Sequence, residues 1–322
     1  MQTRITSWLC LSLLCLMLFP QDLLSQSLKV PFHRQRPLRP QDHFFANDTT
    51  LNPKKKRWVN YLAGGGYALS MGYMGGIWYA QEDLSGFHFF DDVHEWKQMD
   101  KVGHVLGGYQ FGRLMIDLYK WSGMSKKKAI LTGGLFGFGA MTSIEILDGF
   151  GETWGFSWSD VGANALGMGL AMGNQALWNE NRIQVKWSYK KSIYADRPDL
   201  ERLFGTSYLE NLLKDYNGQV YWLSVRVHSF LPESALKDIY PRWLNLAVGY
   251  GAEGMEGGYD DPNEAWRGRE YRQYYLSLDI DLSNIETRIG WLNAVFSAIN
   301  FIRIPFPALE WDKYGMRGRW NP

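Results

Sequence analysis

The stretch MDKVGHVLGGYQFGR, residues 99–113, combines an apolar helical pattern with ionisable residues in its first turn. Asp100 and His104 are four residues apart, so on a helix both side chains project from one face. A carboxylate beside a histidine holds the imidazole in one tautomer and raises its pKa. This arrangement serves general acid/base catalysis, and it also orients a metal-bound histidine.

Further ionisable residues occur at the ends of two later helical segments. Glu145 and Asp148 share a face near the end of one, while Asp160 and Asn164 share a face at the start of the next, where Ser157 or Ser159 can cap the helix. In an up-down-up-down bundle these helix ends meet at one rim. We therefore predict one polar cluster, with candidate catalytic residues His104, Asp100, Glu145 and Asp160, joined by Lys101, Asp148 and Asn164.

A purely structural interpretation of this cluster stays open. Acidic residues at helix N-termini are ordinary caps, which accounts for Asp100 and Asp160. Glu145 paired with Lys101 would be a structural salt bridge. The sequence contains no H-E-x-x-H, G-x-S-x-G, P-loop or Cys/His metal pattern. It therefore identifies neither a metal nor a cofactor, although the carboxylates could bind a divalent metal.

Four glycine-rich apolar segments must position these residues: 58–80, 103–119, 129–147 and 160–178. Glycine destabilises an exposed helix by about 1 kcal/mol relative to alanine, so this many glycines favours close contact between helices. The glycines Gly162, Gly169 and Gly173 predict one such contact face on the fourth helix. The pattern predicts a four-helix bundle that either lies at or partly in a membrane or forms a compact soluble unit.

The C-terminal part follows a different pattern. Alternation of apolar and polar residues at 223–229, 244–250 and 274–282 predicts antiparallel strands, with helices at 199–216 and 285–302. Outer-membrane barrels need about eight strands, and the sequence indicates three or four. The pattern favours a small antiparallel sheet packed on the bundle, or a fragment completed by a partner. The predicted fold class is α+β.

The N-terminal residues are typical of a secretory signal. Arg4 precedes an apolar run that is too short to span a bilayer, and residues 1–26 are the predicted signal peptide. Cys10 and Cys15 both lie in that run without the small residue expected before a lipidated cysteine. After the signal peptide, the predicted segments of the chain are an extended polar leader at 27–57, the helical bundle at 58–181 and the C-terminal extension at 182–322. The formal net charge of +1 argues against nucleic acid as a partner.

The motifs DKVGH at 100–104, Glu145 and FSWSDVGANALG at 156–167 resemble the DUF2279 family of YfiM-like predicted periplasmic lipoproteins. They resemble more distantly the VanZ-like proteins, with their D-K-x-x-H, Glu and D-x-x-A-N-x-x-G pattern. The resemblance covers about residues 58–180. It implies a helical bundle in the cell envelope, with no established activity, and its polar signature falls on Asp100, Lys101, His104, Glu145, Asp160 and Asn164.

Two functions remain open from the sequence. The first is a structural or interaction role at the outer membrane or periplasm of a Gram-negative bacterium, with a membrane or envelope component, or a protein, as partner. The alternative is a hydrolase or transferase that acts on an envelope lipid or glycan. In that enzyme His104 is the acid/base, oriented by Asp100, and Glu145 and Asp160 bind a metal or polarise water.

Overall fold

The computed structural model describes residues 50–77, 83–258, 268–285, 287, 289–320 and 322. The predicted signal peptide, with Cys10 and Cys15, and the first part of the predicted leader lie outside these residues. The described residues form eight α-helices and one six-stranded antiparallel sheet, which confirms the α+β class. The four long helices are α1 (Pro53–Ile77), α2 (Met99–Trp121), α3 (Lys126–Asp148) and α4 (Trp158–Trp178).

Helices α2, α3 and α4 pack directly on one another because glycines let their backbones approach. A Cβ atom added to Gly108 would overlap the carbonyl oxygen of Asn164 on α4, and one added to Gly167 would overlap that of Val105 on α2. A Cβ at Gly133 on α3 would lie 2.5 Å from the backbone nitrogen of Ile116 on α2. Close packing of this kind fixes the distances between side chains on the three helices.

Helix α1 lies against the other long helices through fewer contacts. Val59 and Ala63 are buried in an apolar cluster with Tyr119 and Trp121 of α2. The hydroxyl of Tyr119 also donates a hydrogen bond to Asn60 over 3.0 Å. The arrangement of all four helices as one bundle stays a prediction.

The predicted contact face of α4 is wrong. Gly162, Gly169 and Gly173 have open space where a Cβ atom would lie, whereas Gly167 makes the close approach to α2. The buried face of α4 is the neighbouring stripe that includes Ala163 and Ala171. Two stripes of small residues run side by side on this helix, and the spacing alone does not distinguish them.

Of the long helices, α3 has the length and apolar composition of a membrane-crossing helix. Its mean hydropathy reaches 1.5 over 18 residues, and 39% of that window is buried inside the protein. Among the described residues no other helix of at least 18 residues reaches the same hydropathy.

The sheet is a meander in which neighbours along the chain are neighbours in space. Its strands are β1 (Ile183–Tyr189), β2 (Gln219–Val225), β3 (Leu244–Glu253), β4 (Tyr271–Ile280), β5 (Ala308–Asp312) and β6 (Gly315–Arg319). The predicted count of three or four strands is too low. Polar residues such as Gln184 and Lys186 interrupt β1, and β6 (GMRGR) carries glycine and arginine, so neither has the composition of an ordinary strand.

Four short helices complete the C-terminal part: α5 (Glu201–Phe204), α6 (Tyr208–Lys214), α7 (Ala235–Ile239) and α8 (Gly290–Ile299). The helix expected at 199–216 is broken by Gly205, whose φ of 87° lies in the left-handed region. The sheet packs on the long helices through β1 and β2. Val185 contacts Tyr109 and Ala171, and Tyr221 contacts Met99 at the start of α2.

Candidate functional site

An unusual turn leads into α2, just before the predicted cluster. Trp96, Lys97 and Gln98 all have positive φ, at 48°, 52° and 65°, and none is glycine. A left-handed conformation costs a non-glycine residue roughly 1–2 kcal/mol. Tertiary contacts offset this cost: Lys97 pairs with Glu270 over 3.0 Å, and the Gln98 amide donates to the carbonyl of Val93.

The turn places an aromatic wall beside the first turn of α2. The ring of Trp96 packs against Tyr216 and Phe204, with ring centroids 5.2 and 6.1 Å away. The hydroxyl of Tyr216 donates a 2.7 Å hydrogen bond to Oδ1 of Asp100. Backbone strain held by tertiary contacts is a common property of functional sites.

Helix α4 begins with a cap that belongs to the same cluster. Ser157 is the N-cap residue, and its Oγ accepts from the backbone N–H of Asp160. The hydroxyls of Ser157 and Ser159 both donate to Oδ1 of Asp92, each over 2.7 Å. Asp92 precedes α2 in the chain, so these bonds tie the start of α4 to the segment before α2.

Lys101 lies at the centre of three carboxylates. Its Nζ is 2.7 Å from Asp92 Oδ2, 2.7 Å from Asp160 Oδ1 and 3.0 Å from Asp100 Oδ2. The salt bridge between Lys101 and Glu145 considered from the sequence is replaced by these pairs. Burial alone would lower the pKa of Lys101, but Asp100 and Asp160 raise it, so the ammonium stays charged.

His104 is held on one side and open on the other. Its Nδ1 is 3.3 Å from Glu145 Oε1 and 3.2 Å from Asn164 Oδ1, two acceptors that favour a proton on this nitrogen. Its Nε2 is 3.8 Å from Asp100 Oδ1 and 3.8 Å from Asp160 Oδ1, which is longer than a hydrogen bond. The Nε2 side therefore has room for a ligand atom.

The protonation states follow from burial and mutual repulsion. Burial lowers the pKa of His104, but Asp100, Asp160 and Glu145 outweigh it and raise the value to about 9. Burial raises the pKa of Glu145 to about 9, while Asp160, which is buried beside Asp100, reaches about 7. At pH 7 the imidazole is thus charged, Glu145 is protonated and Asp160 titrates.

The pKa values of the two remaining acids, Asp100 and Asp92, shift in the opposite direction to those of Glu145 and Asp160. His104, Lys101 and Tyr216 outweigh burial and lower the pKa of Asp100. For Asp92 the Lys101 ammonium outweighs burial and lowers the pKa to about 2. The site therefore contains permanent anions next to acids that are protonated at neutral pH. Such divergent pKa values are found most often at functional sites.

The cluster lines a cavity of about 550 Å³. His104, Asp100 and Asp160 contribute to its wall, and Trp96 and Trp154 provide aromatic surface. The exposed fractions of the side chains decrease inward, from 24% for Asp100 to 16% for His104, 5% for Asp160 and 1% for Glu145. A concave, mixed polar and apolar space of this size suits a small ligand or one end of a larger one.

Three of these residues could hold a metal ion. One ligand atom each from Asp100, His104 and Asp160 lies within 4.8 Å of the other two. However, the Lys101 ammonium is 2.7 Å from the same Oδ1 of Asp160, and it would have to move before a cation could bind there. The donor set does not select a particular metal.

The structure brings the predicted residues together at one place. Asp100, Lys101, His104, Glu145, Asp160 and Asn164 are linked by the contacts above, and Asp148 lines the same cavity. Their catalytic roles stay predictions. The sequence missed Tyr216, which arrives from a turn 116 residues after Asp100, and no local signal points to it. Asp92 stood in an acidic run before α2 but was not assigned to the cluster.

The comparisons with known proteins bear on the helical part of the chain. The family model DUF2279, described as a predicted periplasmic lipoprotein, matches residues 68–175, which contain α2, α3 and all but the last three residues of α4. No curated protein and no solved structure matches the chain. The family description supports an exported, periplasmic or envelope location. The VanZ-like resemblance stays a prediction.

Proposed function

We propose that this exported envelope protein, whose residues 68–175 match the DUF2279 family model, is a hydrolase or transferase that acts on an envelope lipid or glycan. The location we propose is the periplasm or outer membrane of a Gram-negative bacterium. The observation that carries the proposal is the geometry of His104. The residue lines the cavity; its Nδ1 is hydrogen-bonded to Asn164 and lies 3.3 Å from Glu145, while its Nε2 makes no hydrogen bond to the nearest carboxylates.

Asp160 and His104 have complementary roles in this proposal. Asp160, with a pKa of about 7, accepts a proton from the attacking water or substrate hydroxyl. His104, with a pKa of about 9, is charged at neutral pH and donates its Nε2 proton to the leaving oxygen. The proton on Asp160 then returns to His104 across the 3.8 Å between Oδ1 and Nε2, through one water molecule. Both groups regain their starting states.

Three other residues prepare the site without touching substrate. Glu145 and Asn164 fix the ring of His104 through Nδ1. Lys101 holds Asp160 by an ion pair. Its positive charge also offsets the negative charge of Asp92, with which it forms a second ion pair. We propose that these are positioning residues. A charge that already has its partners in place needs little reorganisation during the reaction.

A structural or interaction role is the second candidate, and the burial of the ion pairs favours it. Lys101 and its partners connect the segment before α2, α2 itself and α4, and Glu145 of α3 is 1% exposed. A buried network of this kind can specify how helices pack without any chemistry. In this role the cavity would accept a partner group and convert nothing.

A strain that lacks the gene, complemented with variants of the full chain, distinguishes the two candidates. The envelope lipids and glycans are compared by mass spectrometry for wild type, His104→Gln and His228→Gln, with the protein levels checked by immunoblot. His228 is a matched control because it lies on the turn after β2, outside the cluster. We expect His228→Gln to restore the wild-type profile and His104→Gln to leave the profile of the deletion. Restoration by His104→Gln at equal protein level would instead support the structural role.

A further inference from the structure

One face of the sheet buries charged side chains beside an apolar cluster, and the other face exposes large apolar side chains. On one face, which we call the inner face, charged side chains are fully buried. Lys186 of β1 and Asp279 of β4 are both 0% exposed and lie 2.7 Å apart. Glu310 of β5 is 0% exposed and pairs with Arg319 over 2.5 Å. Sheets with one face in water normally bury the apolar face and expose the polar one.

The segment that follows β4 closes over this inner face. Asn300 accepts a 3.1 Å hydrogen bond from Lys186, and the guanidinium of Arg303 lies 3.8 Å from the ring centre of Trp222. Arg226 pairs with Asp281 over 2.9 Å. Lys186, Asp279 and Asp281 are thus buried and paired with groups of the protein itself.

The opposite face, the outer face, is apolar; the long helices cover it at Val185 and Tyr221, and its remaining part is open. The strand register aligns Leu223, Val248, Leu276 and Leu309 in one row across β2 to β5, with Leu246 beside Leu278 in the next row. Eight large apolar side chains of this face are between 36% and 62% exposed: Leu223, Leu246, Val248, Tyr274, Leu278, Leu309, Trp311 and Met316. A contiguous exposed patch of this kind marks an interaction surface.

The order of residue types along the strands indicates what covers the outer face. Next to the aliphatic rows, the register places Tyr250, Tyr274 and Trp311 in one row across β3 to β5, while Tyr221 of β2 in the same row is buried against Met99 of α2. Arg272 follows on the same face of β4, one row further out. Aliphatic residues bounded by aromatic residues and then by a cation reproduce the polarity profile of a bilayer from its hydrocarbon to its headgroups.

We propose that the outer face of β2–β5 contacts the hydrocarbon of a lipid bilayer, with the aromatic row at the level of the headgroups. Six residues separate Leu244 from Tyr250, which corresponds to about 20 Å of strand, close to the apolar height of about 25 Å in lipid-facing sheets. The exposed leucines are unfavourable in water, and contact with lipid removes the cost of exposing them. A protein partner does not require the graded aliphatic, aromatic and basic rows.

This orientation also places the cavity near the membrane surface. The hydroxyl of Tyr250, in the aromatic row, donates to the backbone carbonyl of Lys97, three residues before Asp100. The start of α2 and its polar cluster therefore lie beside the headgroup level. The proposed membrane contact of the outer face does not depend on which chemistry the cavity performs.

Site-directed spin labels on the purified full chain with Cys10 and Cys15 replaced by serine, bound to vesicles of phosphatidylethanolamine and phosphatidylglycerol, test the proposal. One label is placed at Val248→Cys on the outer face and a control label at Glu201→Cys, an exposed position on α5. Collision rates are measured with oxygen, which concentrates in hydrocarbon, and with a water-soluble nickel complex. We expect the ratio of oxygen to nickel collisions to be at least about tenfold higher at position 248, because a bilayer interior excludes the charged reagent.

The same vesicles test the strength of the contact. Leu246→Glu should reduce vesicle binding by about tenfold or more, since an acidic group on a lipid-facing strand must be moved into hydrocarbon. Circular dichroism of both proteins shows whether the variant is folded. Nickel access at position 248 equal to that at position 201 would overturn the proposal. Protection of position 248 from both reagents would overturn it in favour of a protein partner or a second copy.

Discussion

The charge on His104 leads to a quantitative prediction about stability and pH. Its pKa rises from 6.5 to about 9 on folding because Asp100, with Asp160 and Glu145 when they are ionised, outweighs the burial of the ring. Each pKa unit corresponds to about 1.4 kcal/mol, so the shift contributes about 3 kcal/mol to the free energy of unfolding. A raised pKa means that this contribution is fully present below pH 6.5 and is lost as the pH rises through 9.

The assay compares wild type and His104→Gln by urea unfolding between pH 6 and 10. Glu145 and Asp160 also have raised pKa values, and the charge of His104 lowers both, so the difference reports on His104 together with its coupling to these two acids. We expect the variant to be less stable at pH 6, with a deficit that shrinks by about 3 kcal/mol by pH 10. The control His228→Gln should show no such change between pH 7 and 10, because burial and nearby arginines lower the pKa of His228.

Two results would refute the reasoning about this histidine. One is a stability difference between wild type and His104→Gln that is constant over the whole pH range. The other is a pKa at or below 6.5 for His104 in a nuclear magnetic resonance titration of the folded protein. Either would mean that the carboxylates do not outweigh the burial of the ring.

Other substitutions probe the neighbours of His104 and the helix packing, each by urea unfolding. Glu145→Gln should change stability by less than about 1 kcal/mol at pH 7 and should stabilise the protein at pH 10, because the amide resembles the protonated carboxyl that the raised pKa maintains. Lys101→Met should cost about 3–5 kcal/mol, since it leaves buried carboxylates without their cation; a loss below 1 kcal/mol would contradict this. Gly167→Ala should cost about 1–3 kcal/mol because its Cβ overlaps the carbonyl oxygen of Val105. Gly162→Ala is the matched control, with open space at the Cβ, and should be neutral or stabilising by up to about 1 kcal/mol.

The convergence of the polar residues was accessible from the sequence because it follows from helix order. Residues at the start of one helix and at the end of the next lie at the same end of an antiparallel pair. This places His104, Glu145 and Asp160 together without any knowledge of packing. Tyr216 could not be found in this way, because its position depends on how the C-terminal part docks against α2.

The sheet was harder to predict because its buried face mixes charged and apolar residues. Strand patterns are sought as apolar residues on a buried face, but here Lys186 and Glu310 occupy that face. Alternation alone located β3 and β4, where the apolar residues are numerous. It did not locate β6, in which Arg317 and Arg319 are the inner residues that pair with Glu310.

The cavity is the centre of the account, and turnover by the purified chain tests it most directly. The full chain is incubated at pH 7 with a lipid and glycan extract of a Gram-negative envelope, and mass spectrometry follows each species. We expect wild type to consume at least one species and His104→Gln, shown to be folded by circular dichroism, to do so about 10²–10⁴-fold more slowly. Consumption by His104→Gln at the wild-type rate, or no consumption by wild type, would contradict this expectation.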